Sequence, residues 1–146
     1  MSQTAGTAIS NSGTQEMPVI ERLKVRPDFL RVAATRRRWA TPGLVLQVAE
    51  TPQEARNHDV IRVGFTASRK VGDAVTRNRA RRRLREAVRQ VMPANAAPGN
   101  DFVVIARANT GRRAFADLIS DLESALQKLD VWGSTNPSTS GTKSAP

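Results

Sequence analysis

An arginine-rich segment, residues 76–89 (TRNRARRRLREAVR), most restricts what this chain can fold into. The segment holds seven arginines and a single acid, Glu86. Like charges one helical turn apart on an exposed helix repel one another by about 0.2–0.5 kcal/mol per pair. A stable fold must therefore bury one side of this segment and leave the charged side open to water or to a polyanion.

Helical geometry separates the two sides of this segment. At 100° per residue, with Arg77 set at zero, its apolar residues fall on one stripe between about 280° and 20°. The stripe consists of Ala80, Leu84, Ala87, Val88 and Val91. The arc from about 40° to 240° carries Asn78, Arg79, Arg81, Arg82, Arg83, Arg85 and Arg89. An ordinary solvated helix would interleave acids with bases at i,i+4. The spacing instead predicts a helix anchored by a narrow buried seam, with guanidinium groups around the rest of its surface.

Composition supports a polyanionic partner. The 146 residues carry a net charge of +10, and 39% of them are apolar, which suits one domain with a modest core. Because the chain has no cysteine, disulfides, thiolate metal sites and cysteine nucleophiles are excluded. No apolar run approaches the ~20 residues that span a bilayer, and no secretory signal is recognisable. We therefore expect a cytoplasmic protein without a membrane partner.

The charge is unevenly distributed along the chain. Residues 22–38 carry seven bases and one acid, and residues 56–89 carry eleven bases and three acids. The segment 114–132 reverses this balance, since Lys128 is its only base. Its acids Asp117, Asp121 and Glu123 are expected on the solvated side of a helix. We expect the two basic segments to share one face, which is typical of a polyanion-binding surface.

Hydrophobic periodicity predicts the elements of the domain. A first helix is predicted over PDFLRVAA (27–34), a strand over 44–49, a strand with one buried face over 60–67, and another buried strand over 101–107. The arginine helix follows Asp73, a suitable N-cap, and is predicted to end at Pro93. A last amphipathic helix begins near Phe115.

The termini differ from this middle region. Residues 1–20 and 133–146 are polar and aperiodic, so we expect two disordered tails around one domain, residues 21–132. Met17 is a candidate initiation site, because nothing before it resembles a structural element.

Several classes of nucleic-acid-binding protein are disfavoured by the sequence. Zinc fingers require cysteines, and a helix-turn-helix requires two neighbouring helices where this chain has strands. Aromatic residues make up 4% of the chain, too few for a sheet that stacks several bases. A basic helix on a strand-rich domain favours structured RNA. Arginine suits this role because its planar fork binds phosphate through two hydrogen bonds, and Asn78 can reach a base edge or a 2′-hydroxyl.

The segment RVGFTASRKVGDAVTRNRARRRLREAVR (62–89) resembles the signature of the bacterial ribonuclease P protein component. RLKVRPDFLRV (22–32) is similar to the first helix of that family, and DFVVIAR (101–107) with the helix after it is similar to the family's last strand and helix. The resemblance covers residues 22 to 130. It implies an α/β fold, a two-layer α+β sandwich with a small mixed sheet, three helices and a left-handed β-α-β crossover, like a ribosomal-protein domain.

The resemblance also implies a function. The family's protein is the subunit of a ribonucleoprotein endonuclease that removes the 5′ leader of precursor tRNA. Its partners are the catalytic ribonuclease P RNA and precursor tRNA, with no obligate protein partner. The protein itself is expected to bind no cofactor and to have no catalytic residue or metal site. Mg²⁺ is required by the holoenzyme through its RNA, and the isolated protein is expected to be inactive.

Site residues follow from the matching positions. The predicted RNA-binding residues are Arg69, Lys70, Arg77, Asn78, Arg79, Arg81, Arg82, Arg85 and Arg89. A cleft for the single-stranded leader, between the sheet and the first helix, would be lined by Phe29, Ala33, Val45 and Gln47. The family often has an aromatic residue where Ala33 and Gln47 stand. Arg83 occupies a usually apolar position, and its angle of about 240° predicts exposure.

Three other interpretations remain open at this point. A nuclease acting alone would need convergent carboxylates or histidines around metal ions, and the only histidine, His58, lies in a polar connection without obvious partners. A ribosomal RNA-binding protein and a non-specific nucleic-acid chaperone are both compatible with the basic surface. The RNA that co-purifies with the protein distinguishes these two from the ribonuclease P subunit: one specific RNA is expected for that subunit, ribosomes for a ribosomal protein and any RNA for a chaperone.

Overall fold

The computed structural model describes residues 18–57 and 59–132. The predicted tails, for residues 1–17 and 133–146, and the interpretation of His58 lie outside this part of the chain. Within it, the elements follow in the order β1 (Val19–Arg22), α1 (Arg26–Ala34), β2 (Arg38–Ala40), β3 (Leu44–Glu50), β4 (Val60–Thr66), α2 (Ala74–Asn95), β5 (Asn100–Ala106) and α3 (Phe115–Lys128). Short 3₁₀ turns lie at Gln53–Ala55 and Arg69–Val71.

The strands form one mixed sheet in the order β1-β4-β5-β3-β2. β1 and β5 both run parallel to β4, while β3 pairs antiparallel with β5 and with β2. Because β4 and β5 are parallel neighbours, the chain between them must cross over, and α2 makes this connection. The predicted α+β class, with a small mixed sheet and three helices, is confirmed. The left-handed sense of the crossover stays a prediction.

The main core lies between the sheet and the layer formed by α2 and α3. Alternate residues of β3 and β4, such as Leu46 and Val63, meet Leu84 of α2 and Leu122 of α3 there, and none of these four side chains is exposed. The predicted period-two pattern of 60–67 is confirmed, since Ile61 and Val63 both belong to this core. The other face of the sheet carries a smaller cluster, in which Val32 of α1 packs with Ala49 and Val103. α1 thus covers part of the second face.

The arginine helix forms with the predicted seam. Ala80, Leu84, Ala87, Val88 and Val91 are at most 2% exposed. Asp73 is confirmed as the N-cap, since its carboxylate accepts a hydrogen bond of 2.9 Å from the backbone N–H of Thr76. This hydrogen bond lowers the pKa of Asp73.

The predicted end of this helix at Pro93 is wrong, because α2 continues to Asn95. Proline interrupts helices by removing a backbone donor and by crowding the preceding turn. Here the helix continues past Pro93, and two other donors satisfy backbone carbonyls of its last turn. The side-chain amide of Asn95 donates to the carbonyl of Val91 at 2.9 Å, and the backbone N–H of Ala96 donates to that of Met92.

Two short edge strands were not predicted. β1 includes Val19 and Ile20, which fall inside the segment 1–20 that was expected to be disordered. The ordered domain therefore begins no later than Val19, and not at residue 21. β1 is held by pairing with β4, and the hydrogen bond from Val19 N–H to the carbonyl of Asp59 (2.8 Å) starts the ladder. Strands of three or four residues show too little periodicity to be recognised from the sequence, and both form by pairing with a longer strand, β1 with β4 and β2 with β3.

A buried ionic cluster fastens α1 to the sheet. The carboxylate of Asp101, in β5, is fully buried and accepts hydrogen bonds from Arg31 of α1 and from the hydroxyl of Thr51, the latter at 2.7 Å. Arg62 of β4 lies 3.5 Å from Asp101 and donates to Asp28 of α1 at 3.1 Å. Partial burial acts to lower the pKa of Arg31, but its hydrogen bonds to Asp101 and Asp28 outweigh this effect and raise it. α1 is therefore held by charge as well as by packing.

Gly64 is required where α1 crosses β4. A Cβ atom at this position would lie 2.4 Å from Cε1 of Phe29. Gly64→Ala is therefore expected to displace the Phe29 ring and to lower the free energy of unfolding by about 1–3 kcal/mol, as overpacking does. Chemical denaturation measures the change. In the Phe29→Leu background the same substitution should cost less, and an equal cost in both backgrounds would contradict the contact.

Candidate nucleic-acid interface

One side of α2 presents a continuous cationic surface. We define the arginine surface as Arg77, Arg79, Arg81, Arg82, Arg85 and Arg89. Arg79, Arg82 and Arg89 are exposed and the other three are partly exposed. Asn78 is exposed between them, and its side-chain oxygen accepts a hydrogen bond from Arg81. The structure therefore brings seven predicted RNA-binding residues together on one helix face.

Few carboxylates neutralise this surface. Glu86 accepts hydrogen bonds from Arg89 and from the amide of Gln90, and these hydrogen bonds lower its pKa. Among the described residues, no ion pair is formed by Arg79, Arg82 or Arg85. Burial lowers the pKa of Arg85, and the cations of Arg22, Arg81 and Arg82 lower it further. The helix thus holds unneutralised charge that an anionic ligand can stabilise.

Arg22 joins the arginine surface from the first basic segment. It lies in the edge strand β1, and its charge acts on Arg85 across the boundary between the sheet and α2. Arg31 instead lies on the other face of the sheet, bound to Asp101. The prediction that the two basic segments share one face is therefore correct for Arg22 and wrong for Arg31. Sequence reasoning missed Arg22 as a site residue, because the pairing of β1 with β4 is what brings it there.

The N-terminal end of α2 extends the basic surface. Arg69 and Lys70 are both exposed in the 3₁₀ turn that precedes the helix. A cavity of about 410 Å³ lies nearby, lined by Arg79 and Thr76 of α2 and by Arg112 from the connection after β5. Arg112 is a further cation that the sequence did not single out, since nothing in its local pattern links it to α2. The helix N-terminus adds a partial positive charge to this end.

Arg83 does not lie on the exposed arc, which corrects the prediction from its helical angle. Its side chain is partly buried and donates a hydrogen bond of 2.6 Å to the carbonyl of Thr110. The guanidinium carbon also lies 5.9 Å from the centre of the Phe115 ring. The start of α3 and the connection before it cover this side of α2, so Arg83 joins two elements.

The burial of Asp121 also differs from the prediction. It was expected on the solvated side of the last helix, but it is 6% exposed. Its carboxylate accepts two hydrogen bonds from Arg113, at 2.6 and 3.1 Å, and these hydrogen bonds raise the pKa of Arg113. Asp117 is exposed and Glu123 is partly exposed. The packing of the connection 107–114 against α3 buries Asp121.

The four predicted leader-cleft residues lie on the α1 side of the domain but at different depths. Val45 and Gln47 project from β3 and are only 7% and 8% exposed, whereas Ala33 is exposed. Phe29 packs over Gly64 of β4, and Gly64 is aligned with Gln47 through Val103 of β5. At about 4.8 Å between strands, Gln47 lies roughly 10 Å from Gly64.

A more open row of the same sheet face lies beyond α1. Thr66, Ile105, Val45 and Ala40 are aligned across four strands. Thr66 and Ile105 are partly exposed and Ala40 is exposed. Phe29 and Gln47 lie on the same face of the sheet as this row.

Two further observations bear on the chemistry of the described residues. Residues 18–57 and 59–132 contain no group of three or more His, Cys, Asp or Glu side chains arranged to hold a metal ion. In the same part of the chain, no helix combines the length and apolarity needed to cross a membrane.

The fold and the arginine surface define a nucleic-acid-binding protein of the α+β class. The Ribonuclease P family model matches residues 17–130. A ribonuclease P protein component from Paramagnetospirillum magneticum is 54% identical over 117 residues, which cover 80% of this chain and 88% of that protein. One from Caulobacter vibrioides is 47% identical over 109 residues, covering 75% of this chain and 70% of that protein.

Solved structures agree with these relatives. The ribonuclease P protein of Staphylococcus aureus superposes with a TM-score of 0.63 at 26% identity, covering 77% of this chain and 97% of that one. That of Thermotoga maritima gives 0.61 at 27% identity, with 74% and 96% covered. The chain belongs to the ribonuclease P protein component family. It is therefore a protein subunit of an endoribonuclease complex of tRNA processing that has an RNA partner.

Proposed function

We propose that the arginine surface binds the catalytic RNA of ribonuclease P, while the α1 side of the sheet holds the 5′ leader of precursor tRNA. The observation that carries this proposal is the one-sided helix α2, whose seam is at most 2% exposed while its opposite side presents six arginines. Such a surface binds phosphate and offsets the repulsion between two RNA molecules. The RNA, with Mg²⁺, carries out the cleavage.

The side chains of the surface explain why the protein alone is inactive in this proposal. Phosphodiester hydrolysis needs an activated water and a stabilised leaving oxygen, which metal ions commonly supply in nucleases. Arginine does not release its proton near neutral pH, so it cannot serve as the general base. The protein's contribution is then binding and orientation, and no protein-bound cofactor takes part.

The proposed binding site for the 5′ leader is the more open row of the sheet. The partly exposed Thr66 and Ile105, with the nearby Phe29, suit an unpaired strand, whose bases offer apolar faces. Ala33 and Gln47 supply no aromatic ring, so stacking at those two positions is replaced by weaker contacts. We therefore expect modest discrimination among leader sequences.

The dependence on Mg²⁺ tests the division of labour. Purified protein alone is expected to leave precursor tRNA intact, and cleavage should appear when the ribonuclease P RNA and Mg²⁺ are added. The protein should accelerate cleavage most at low Mg²⁺, because fewer ions then screen the phosphates, and the gain should shrink as Mg²⁺ rises. Precursor tRNA should gain more affinity from the protein than mature tRNA does.

An assay of protein freed of RNA can give the result that would contradict this division of labour. Robust cleavage by protein freed of RNA, lost in the His58→Ala variant, would show an enzyme in its own right. Sequencing the RNA that co-purifies with tagged protein separates the remaining alternatives. One dominant RNA supports the proposal, whereas ribosomal RNA or an unselective mixture would favour a ribosomal protein or a chaperone.

Salt dependence tests the arginine surface itself. Arg79→Ala and Arg82→Ala should each weaken binding to the ribonuclease P RNA. Each lost phosphate contact should flatten the plot of log affinity against log salt by about 0.7–0.9. Filter binding across a series of salt concentrations measures the slope. Arg38→Ala is a matched control, since Arg38 is also exposed but lies in β2, at the far edge of the sheet from β1. An equal change in slope for all three variants would contradict a localised surface.

A further inference from the structure

A cavity of about 350 Å³ lies where β1 meets α2, beside the arginine surface. Its apolar wall is formed by Ile20 of β1, Phe65 of β4 and Val88 of α2. Ile20 and Phe65 are partly buried, so each packs on the core and still presents some surface to the cavity. The volume falls within the range of about 300–1,000 Å³ that is usual for small-ligand sites.

The cationic wall of the same cavity comes from two elements. Arg22 extends from β1, and Arg82 and Arg85 extend from α2. In the described part of the chain none of these three arginines forms an ion pair with a carboxylate. Glu86 and Arg89 also line the cavity and pair with each other, and the Glu86 carboxylate accepts a further hydrogen bond from Gln90. The cavity therefore combines an aromatic and aliphatic surface with unneutralised guanidinium groups.

An apolar wall beside free arginines favours some parts of an RNA molecule over others as the ligand. A phosphate alone would bind the arginines but would make no contact with the apolar wall. Bases within a duplex are stacked on their neighbours and cannot enter a cavity. An unpaired nucleotide presents both a flat apolar base and a phosphate, and base–aromatic stacking adds to binding in many single-strand-binding proteins.

We propose that this cavity receives one unstacked nucleotide of the RNA partner, with its base against Phe65 and its phosphate bound by Arg22 and Arg85. The inference rests on the proposed function, since it assumes that α2 faces RNA. It adds to that function a recognition site for one unpaired nucleotide, formed by β1 and β4 as well as by α2. The arginine surface then binds the phosphates on either side of that position.

Nuclear magnetic resonance of the full-length chain tests the cavity directly, with adenosine 5′-monophosphate and inorganic phosphate as probes. The nucleotide should shift the methyl signals of Ile20 and Val88 and the ring signals of Phe65, in addition to the arginine signals. Inorganic phosphate should shift the arginine signals without the Phe65 ring. Identical responses to both probes, or no response to the nucleotide, would overturn the inference.

Two variants and a matched control sharpen the test. Phe65→Leu keeps an apolar side chain without the aromatic face, and should weaken nucleotide binding about fivefold or more, the lower end for loss of stacking. Arg22→Gln should weaken the binding of both probes, whereas Arg38→Gln at the opposite sheet edge should change neither. Unchanged nucleotide binding in Phe65→Leu, with its fold intact by chemical-shift dispersion, would overturn the base contact.

The same experiments separate this inference from the proposed function. If the nucleotide fails to bind while Arg79→Ala still weakens binding of the ribonuclease P RNA, only the cavity inference is lost. If Arg79→Ala and Arg82→Ala leave RNA binding unchanged, the proposed function is lost as well. Nuclear Overhauser contacts between the cavity and residues 1–16 of the free chain would assign the cavity to the chain's own N-terminal segment and overturn the inference.

Discussion

Asp101→Ala is expected to lower the free energy of unfolding by about 3 kcal/mol. Its carboxylate is fully buried and accepts hydrogen bonds from Arg31 and Thr51, with Arg62 at 3.5 Å. Removing one partner of a buried ion pair costs about 3–5 kcal/mol, because the remaining charge is left uncompensated. We expect the lower end of this range, since the side chain of Arg31 is 31% exposed and can turn towards water.

Urea denaturation measures this change, and Glu54→Ala is the matched control. Glu54 is an exposed carboxylate in the 3₁₀ turn after β3, so its loss should stay within about 0.5 kcal/mol. Because the cluster fastens α1 to the sheet, Asp101→Ala should also weaken the preference for precursor over mature tRNA in the proposed leader site. A loss of stability below about 1 kcal/mol would show that the cluster does not anchor α1.

Leu84→Ala is expected to lower the free energy of unfolding by about 2–5 kcal/mol. Leu84 lies in the centre of the seam of α2, with no exposed surface and with contacts in the main core. The truncation leaves a cavity that the neighbouring side chains fill only in part. Thermal or chemical unfolding of the purified chain measures the effect.

Arg82→Ala, two residues away on the same helix, is the matched control for this effect. Arg82 is exposed, so its removal should change stability by no more than about 0.5 kcal/mol. The two variants should thus separate cleanly, Leu84→Ala in stability and Arg82→Ala in RNA affinity. If both unfolded the domain equally, the division of α2 into a buried seam and a binding surface would be wrong.

Much of the fold followed from local pattern. The helical spacing of Ala80, Leu84 and Val88 predicted the seam that is buried, and alternation over 60–67 predicted which face of β4 enters the core. Asp73 was predicted as the N-cap and caps α2. These features depend on residues within a turn or two of one another, so the sequence holds the information without knowledge of the partners.

Errors occurred where the partner of a charged residue lies outside its own helix or strand. Arg83 stands at an angle that predicts exposure, yet the carbonyl of Thr110 and the ring of Phe115 lie next to it. Asp121 was expected in solvent, and Arg113 from the preceding connection encloses it. The sequence pattern placed Asp101 in a buried strand without indicating any special role, although its carboxylate is the centre of the ionic cluster beneath α1. Burial of a charged side chain depends on the groups that approach it, and helical angle alone does not reveal them.

The sequence by itself determined that one helix would be buried on a narrow side and cationic on the other, because the 3.6-residue period sorts its side chains without further context. It also determined the family, through a motif of residues contiguous in the chain. Only the tertiary structure decided that Arg22 and Phe65 would meet Arg85 around one cavity. Their proximity arises from the pairing of β1 with β4 and the packing of α2 on the sheet, contacts between segments some 20 to 60 residues apart along the chain.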